Sequence, residues 1–235
     1  MSSARRISEA LDLFEQAIRR DPRYGPALAC AALCCYQLVS DGWSKDAAAD
    51  ACRGADFARR ALEAAGDDPG TIVHAARALA YFGEDIGAMM ALVDRALGLN
   101  PNYAHGWHIS GVLRIWAGQP DAAIERLETS LRLSPRARIG TSLVATGIAH
   151  FLSRRFDQAL PKLLLAIQED PSSPQPYRVL TACYAHMGRL DEAREIVARL
   201  RAITPLLRMD ASRYRNPEHR ELLLSGLRLA AGEAV

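Results

Sequence analysis

Several features that mark whole classes of protein are missing from this sequence. Its 235 residues carry a net charge of only +2, so no field of one sign is available to attract nucleic acid or a membrane surface. The longest apolar run, residues 27–39, is shorter than the roughly 20 residues that cross a bilayer. No apolar signal region follows residues 1–6. We therefore predict a cytoplasmic protein that binds neither nucleic acid nor membrane.

Cysteine is scarce as well, and its placement argues against two kinds of site. The chain has 5 cysteines, an odd number, and Cys30, Cys34 and Cys35 lie in one apolar stretch. This arrangement fits neither a disulfide framework nor the spacing of zinc ligands. We expect buried structural thiols, with Cys34 and Cys35 chemically inert in an apolar helix. No metal and no other cofactor is predicted.

Aromatic residues are few, at 6%, but the remaining composition is that of a folded protein. Hydrophobic residues make up 49% and charged residues 24%, which excludes a disordered chain. Alanine is abundant, and it favours helices because it loses no side-chain entropy in one.

The chain repeats a short pattern of small and apolar residues. The pattern begins with a small residue. An apolar or small residue follows four positions after it, and a third, usually small, residue follows three positions after the second. A proline usually comes next. This spacing places the residues on one helix face, where small side chains let a second helix approach closely. The proline ends the helix. The copies begin at Ala10, Gly54, Met89, Ala123, Ala159 and Ala193.

A further helix precedes each of the last five copies. In the clearest pair it runs from Trp107 to Trp116, and residues 118–121 form the turn into the next helix. The sequence therefore predicts an all-α fold made of antiparallel helix pairs.

This helix–turn–helix unit resembles a tetratricopeptide (TPR) repeat, because Trp107, Gly111, Gly118, Ala123 and Pro135 occupy positions typical of that family. The resemblance implies a right-handed α-solenoid with a C-terminal capping helix. A single solenoid is expected over residues 1–235, with a half repeat at 4–22, repeats at 25–68, 69–103, 104–137, 140–173 and 174–207, and the cap at 216–231. Extra residues around 40–44 predict a longer second helix in the first full repeat.

The half repeat at 4–22 lacks its first helix, which leaves an apolar face uncovered. Either the chain is part of a longer protein or a partner covers that face. The partner that we consider is a second copy of the chain, which would form a homodimer through the half repeat.

Two landmarks suggest a narrower resemblance. Gly42-Trp43-Ser44 lies inside the expanded repeat, and the terminal helix begins at Asn216-Pro217-Glu218, with Asn as its cap and Pro in its first turn. Together they resemble the C-terminal TPR region of bacterial proteins whose N-terminal part is a class III adenylate/guanylate cyclase domain, or in some relatives a winged-helix domain. In such proteins the cyclase chemistry lies in the other domain, so the resemblance implies no catalytic residue here.

The resemblance also points to a binding surface. Helix-pair solenoids bind through a concave face that is lined by the first helix of each pair. An extended or helical peptide would dock there on apolar anchors. The alternative is structural, because solenoid curvature or the terminal helix would bury the same side chains. The resemblance implies a positional rule, by which repeat positions 2, 5, 9, 12 and 13 line this groove. The residues that it places there include Arg77, Tyr81, His105, His108, Val112, Trp116, Phe151, Arg178 and His186.

Other patterns are interpreted as structural. His105 and His108 lie near one helix face, but a metal site would need more ligands and supporting partners, so we expect hydrogen-bonding histidines. Chaperone-binding TPR domains hold a C-terminal carboxylate with lysine and asparagine. Here Ala29, Leu33 and Val73 take those places, so no such clamp is expected.

The local arginine runs are interpreted as solvated surface, with contact to an acidic partner or a neighbouring domain as the alternative. They comprise Arg154, Arg155, Arg208, Arg213, Arg215 and Arg220.

Two functions remain open. The first is a non-catalytic protein–protein interaction module, acting as the regulatory region of a nucleotide-cyclase-like signalling protein and holding a protein or peptide in the groove. The alternative is a small-molecule-sensing domain that controls an attached cyclase or DNA-binding output domain.

Overall fold

The computed structural model describes residues 3–135, 139–204 and 211–232. Within these ranges the chain forms twelve α-helices and no strand, so the all-α prediction is confirmed. In chain order the helices are α1 (Ser3–Arg20), α2 (Gly25–Asp41), α3 (Ala47–Ala64), α4 (Pro69–Tyr81), α5 (Ile86–Leu99), α6 (Ala104–Ala117), α7 (Pro120–Leu133), α8 (Ile139–Leu152), α9 (Phe156–Glu169), α10 (Pro174–His186), α11 (Leu190–Arg201) and α12 (Pro217–Ala231).

The helices form two compact units. Unit 1 is Met1–Leu113 and unit 2 is Arg114–Val235, so the division falls within α6. The division of the chain into repeats and a half repeat stays a prediction. The paired helices α2 to α11 nevertheless follow one another at the positions that the pattern of small residues indicates.

Three of the loops that lead into a first helix share one local structure. The side chains of Asp21, Asn100 and Asp170 each accept a hydrogen bond from the backbone N–H two residues later, at 3.0, 3.1 and 3.0 Å. A proline follows each of these residues. Such turns satisfy the backbone locally, while the proline prevents the preceding helix from continuing. The same sequence signal therefore ends one helix and starts the next.

Both helices of the first full pair are longer than those of the later pairs, and only one of them was expected to be. The second helix of the first full pair, α3, spans 18 residues, which agrees with the extra sequence around residues 40–44. Its first helix, α2, is also long at 17 residues, which the sequence pattern did not predict. Helices α4 to α11 span 12 to 14 residues.

Small residues bring the helices close together in both units. In unit 1 a Cβ atom on Gly54 would lie 2.6 Å from the Phe82 ring and 2.8 Å from Cβ of Cys35. In unit 2 a Cβ on Gly147 would lie 2.8 Å from the Leu163 side chain. These distances leave no room for a larger residue, so the small positions of the pattern are contact points between helices.

Helix α1 packs on α2 through one face. Leu11 and Ile18 are 4% and 7% exposed, whereas Leu13 on another face is 64% exposed. The homodimer through this half repeat stays a prediction.

The turns within the last pairs place one residue in the left-handed region. Gly118 and Gly188 have φ of 86° and 76°, and Arg154 takes the equivalent place in the α8–α9 turn with φ of 58°. In each turn this residue donates its N–H to the carbonyl three residues earlier, at distances from 2.8 to 3.2 Å. A side chain in this conformation costs about 1–2 kcal/mol, a strain that glycine avoids.

We therefore predict that Arg154→Gly raises the free energy of unfolding by about 1 kcal/mol, since the relieved strain exceeds the added chain entropy. Such a change corresponds to a rise in Tm of about 2–4 °C in a chain of this size. The control is Arg154→Ala, which removes the same side-chain contacts but keeps a Cβ. Equal stabilities of the two variants in thermal unfolding would contradict the strain.

Candidate functional site

The predicted groove residues all lie on the first helices of pairs, in two sets. Arg77, Tyr81, His105, His108 and Val112 belong to unit 1. Trp116, Phe151, Arg178 and His186 belong to unit 2. The two sets have different surroundings.

In unit 1 an aromatic and cationic cluster joins α2 to α4. The Arg77 guanidinium lies over the Tyr36 ring, 4.7 Å from its centroid, and donates a hydrogen bond to the Tyr36 hydroxyl at 3.1 Å. The Tyr81 ring meets Tyr36 edge to face at a centroid distance of 4.7 Å. Tyr36 and Arg77 are half-buried, and Tyr81 is 8% exposed. We call these three residues the Tyr36 cluster.

A second group in unit 1 joins α4 to α6. The His105 ring lies 5.1 Å from the His74 ring, edge to face, and 5.9 Å from the His108 ring, nearly parallel to it. His74 and His105 are half-buried, while His108 is buried. We call this group the histidine cluster. Within the ranges that the structure describes, no group of three or more potential ligands could hold a metal ion.

The prediction from sequence omitted Tyr36. This residue occupies the same register in α2 as Ile115 does in α6, counted from the start of each repeat at residues 25 and 104. The positional rule that selected groove residues on later helices would therefore have found Tyr36 if applied to α2. Val112, which the rule did select, is 9% exposed and contributes an apolar wall.

In unit 2 the terminal helix lies against the predicted groove residue His186 of α10. The His186 imidazole Nε2 lies 2.7 Å from the Leu222 carbonyl oxygen on α12, and the ring stacks on Phe156 at a centroid distance of 5.8 Å. Phe151 and Arg178 are each 0% exposed. The contact of His186 with α12 is of the kind that the structural alternative describes, in which the terminal helix buries groove side chains.

Residues 213–215, which precede α12, also contact the first helices of unit 2. The Arg215 backbone N–H donates to the Trp116 carbonyl at 2.7 Å, and Trp116 is 4% exposed. Arg213 donates to the Gln175 side-chain oxygen at 3.0 Å.

The expectation of a solvated arginine surface is wrong for Arg213, which is 4% exposed. Its guanidinium is held by Gln175 and lies 5.2 Å from the centroid of the Tyr214 ring. Arg155 is partly exposed and pairs with Asp121 at 2.6 Å. Arg208 lies outside the described residues.

Helix α12 packs closely against α10 because Gly226 has no side chain. A Cβ on Gly226 would lie 2.7 Å from the Ala182 Cβ and 3.0 Å from His186 Nε2. The missing side chain therefore allows the His186 imidazole to reach the α12 backbone. Ala230 continues this contact in a cluster with Ala185, Ala193 and Val197.

The cysteines largely follow the expectation of buried thiols. Burial, chiefly, raises the pKa of Cys34 to about 12, of Cys35 to about 11 and of Cys183 to about 12. Cys30 is half-buried, and burial raises its pKa too. Cys52 departs from the expectation because it is exposed on α3.

A shallow cleft in unit 2 is lined by Arg154, Arg155, Phe156, Asp157, Gln158 and Met187. Its volume of about 260 Å³ lies below the roughly 300–1,000 Å³ of typical small-molecule pockets. It therefore gives no support to the alternative of a metabolite sensor.

The fold and the helix-pair surface place the chain among helical repeat proteins. Residues 150–216 match the family model described as tetratricopeptide repeat. That model describes a repeat and not a catalytic domain. A search of curated proteins found no match.

Solved structures are similar over most of the chain. A chain of the APC/C hetero-tetramer Cut9–Hcn1 structure matches with a TM-score of 0.66 at 15% identity, covering 94% of this chain and 40% of that one. The TPR protein TTC0263 of Thermus thermophilus matches with a TM-score of 0.59 at 21% identity, covering 76% and 93%. A TPR protein of Parabacteroides merdae matches with a TM-score of 0.58 at 14% identity, covering 97% and 81%. These likenesses establish a TPR-type solenoid fold.

Among the helices of the described ranges, none combines the length and the apolar character that a membrane crossing requires.

We predict that Gly226→Ala loosens α12 and lowers the free energy of unfolding by about 1–3 kcal/mol, because the new methyl group overpacks Ala182 and His186. The control is Gly98→Ala on α5, where a Cβ meets nothing within 4 Å. That substitution is expected to stabilise the chain by roughly 0.5–1 kcal/mol. Urea unfolding and hydrogen exchange of residues 217–231 measure both effects, and unchanged protection in Gly226→Ala would refute the close contact.

We also predict selective alkylation of the thiols. At mildly alkaline pH iodoacetamide should modify Cys52 in the folded chain and leave Cys34, Cys35 and Cys183 unmodified, because a raised pKa and burial withhold the reactive thiolate. All five should react in denaturant. Mass spectrometry of the peptides reads out each site, and rapid labelling of Cys34 in the folded protein would contradict its burial.

Proposed function

We propose that this chain is a non-catalytic protein–protein interaction module that binds a protein or peptide partner through the first helices of unit 1. The observation that carries the proposal is the Tyr36 cluster, which spans α2 and α4 and leaves Tyr36 and Arg77 partly exposed. Tyrosine and arginine are the residue types that most often dominate binding energy at interfaces. A tyrosine there supplies a large apolar surface with little loss of side-chain entropy.

The geometry favours an ordered recognition surface. Edge-to-face packing against Tyr81 and stacking under Arg77 hold the Tyr36 ring in one orientation. A partner that docks on such a ring loses little free energy to ordering it. The lining belongs to the first helices, the face that helix-pair solenoids use for binding.

The signalling context is part of the same proposal. We infer a regulatory region of a cytoplasmic nucleotide-cyclase-like protein. Its support is the pair of sequence landmarks at residues 42–44 and 216–218. In the structure Gly42 ends α2 with φ of 77°, and Asn216 caps α12 by accepting the Glu218 N–H at 2.8 Å. The five cysteines are free thiols, the state that a reducing compartment maintains.

We predict that Tyr36→Ala weakens partner binding by about 2 kcal/mol or more, roughly thirtyfold, as expected for a central interface aromatic. The matched control is Tyr24→Ala, which removes a 50% exposed tyrosine outside the cluster. Tagged chains would be cross-linked in the source cells and their partners quantified by mass spectrometry, with circular dichroism confirming the fold of each variant.

Loss of specific partners from Tyr36→Ala but not from Tyr24→Ala supports the interaction surface. A cyclase or a cyclase regulator among those partners supports the signalling context. Identical partner sets from the wild type and a folded Tyr36→Ala variant would overturn the proposed surface.

A further inference from the structure

The first helices of the pairs have a one-sided distribution of charge. Helices α2, α4, α6, α8 and α10 contain a single acidic residue, Asp41, although the chain has 27. The same helices carry Arg77, Arg114 and Arg178, together with every histidine except His219. The acidic residues therefore lie almost entirely on the other helices and in the loops.

In unit 1 this asymmetry leaves basic groups without an exposed carboxylate beside them on the first helices. Asp41 is the last residue of α2 and is only 9% exposed. Arg77 and the histidine cluster lie on α4 and α6, which have no acidic residue. The polar groups that the Tyr36 cluster offers a partner are accordingly cationic or neutral, whereas the histidine cluster has the exposed carboxylate of Asp68 near His74.

Arg77 differs from the arginines of the second helices. Arg53, Arg59 and Arg95 each form an ion pair with a carboxylate, at 2.9 Å or less. No carboxylate in the described part of the chain pairs with Arg77, whose contacts are the ring and hydroxyl of Tyr36. Its Nε is buried and has no hydrogen-bond partner there. A partly buried cation of this kind gains free energy from an added carboxylate.

We propose that the partner of this surface presents an acidic segment, with one carboxylate paired to Arg77 and a neighbouring apolar side chain packed on the Tyr36 cluster. The inference rests on the proposed function and specifies the partner's chemistry. Recognition depends on side chains within the segment and not on its C-terminal carboxylate.

A nucleic acid suits the surface less well than an acidic protein segment. Nucleic-acid affinity grows with the number of phosphates that lysine and arginine neutralise, and Arg77 is the one arginine on α2 and α4. Base stacking needs an open ring face. One face of Tyr36 is covered by Arg77, and Tyr81 is 8% exposed.

The test uses fluorescent peptides and the intact chain, with fluorescence anisotropy as the readout. The probe is a short peptide that alternates Asp or Glu with Leu or Phe and has both ends blocked. Matched probes replace the acids by Asn and Gln, or by Lys, and another acidic probe has a free C-terminal carboxylate. A single-stranded oligonucleotide is the nucleic-acid comparison.

We expect the blocked acidic peptide to bind, the neutral peptide to bind at least about tenfold more weakly, and the lysine peptide not to bind. Affinity should fall as salt is added, a measurement that needs no variant. Arg77→Ala should weaken the acidic peptide about tenfold more than the neutral peptide, because both lose the stacking on Tyr36 and only the acidic peptide loses an ion pair. Arg20→Ala, which removes an exposed arginine from α1, should change neither.

The outcomes separate this inference from the proposed function. Equal binding of acidic and neutral peptides, with Tyr36→Ala abolishing both, overturns the acidic preference and keeps the interaction surface. Binding that requires the free carboxylate, or tighter binding of the oligonucleotide, also overturns the inference. Absence of binding by every peptide overturns it too, and the cross-linking experiment then judges the interaction surface by itself.

Discussion

The packing of helices at very short distances is the constraint on which the molecule is built. Gly54, Gly147 and Gly226 each stand where a Cβ atom would come within 3 Å of a neighbouring side chain. Alanines such as Ala58 and Ala159 are fully buried beside these contacts. Dispersion forces act only over such short distances, so the small residues determine how much contact each helix pair gains.

Much of the fold could be predicted because its signals are local. A proline after Asp21, Asn100 or Asp170 acts on its own neighbours, and so does the spacing of small residues along a helix. The length of α2 and the burial of Arg213 could not be predicted in this way. Arg213 is buried, and its guanidinium donates a hydrogen bond to Gln175, which is distant in sequence. The nearby arginines suggested solvent exposure, because the local sequence does not reveal this distant contact.

At the candidate site, too, the local positions could be predicted from the sequence but the contacts between helices could not. The positional rule selected Arg77 and Tyr81, yet both of these residues contact Tyr36 on another helix, which the prediction omitted. The rule also selected Phe151, Arg178 and His186, without indicating that α12 would lie against His186. Periodicity identifies which face of a helix points inward. It does not distinguish a face that awaits a partner from one that the chain itself covers.

The left-handed Arg154 has a consequence for which residues such a turn accepts. Its turn has the same backbone geometry as the turns at Gly118 and Gly188, although the residue is an arginine. The packed helices on either side therefore hold the turn in shape without the residue that the turn prefers. A turn of this kind can therefore hold a residue other than glycine while the backbone path between its helices stays the same.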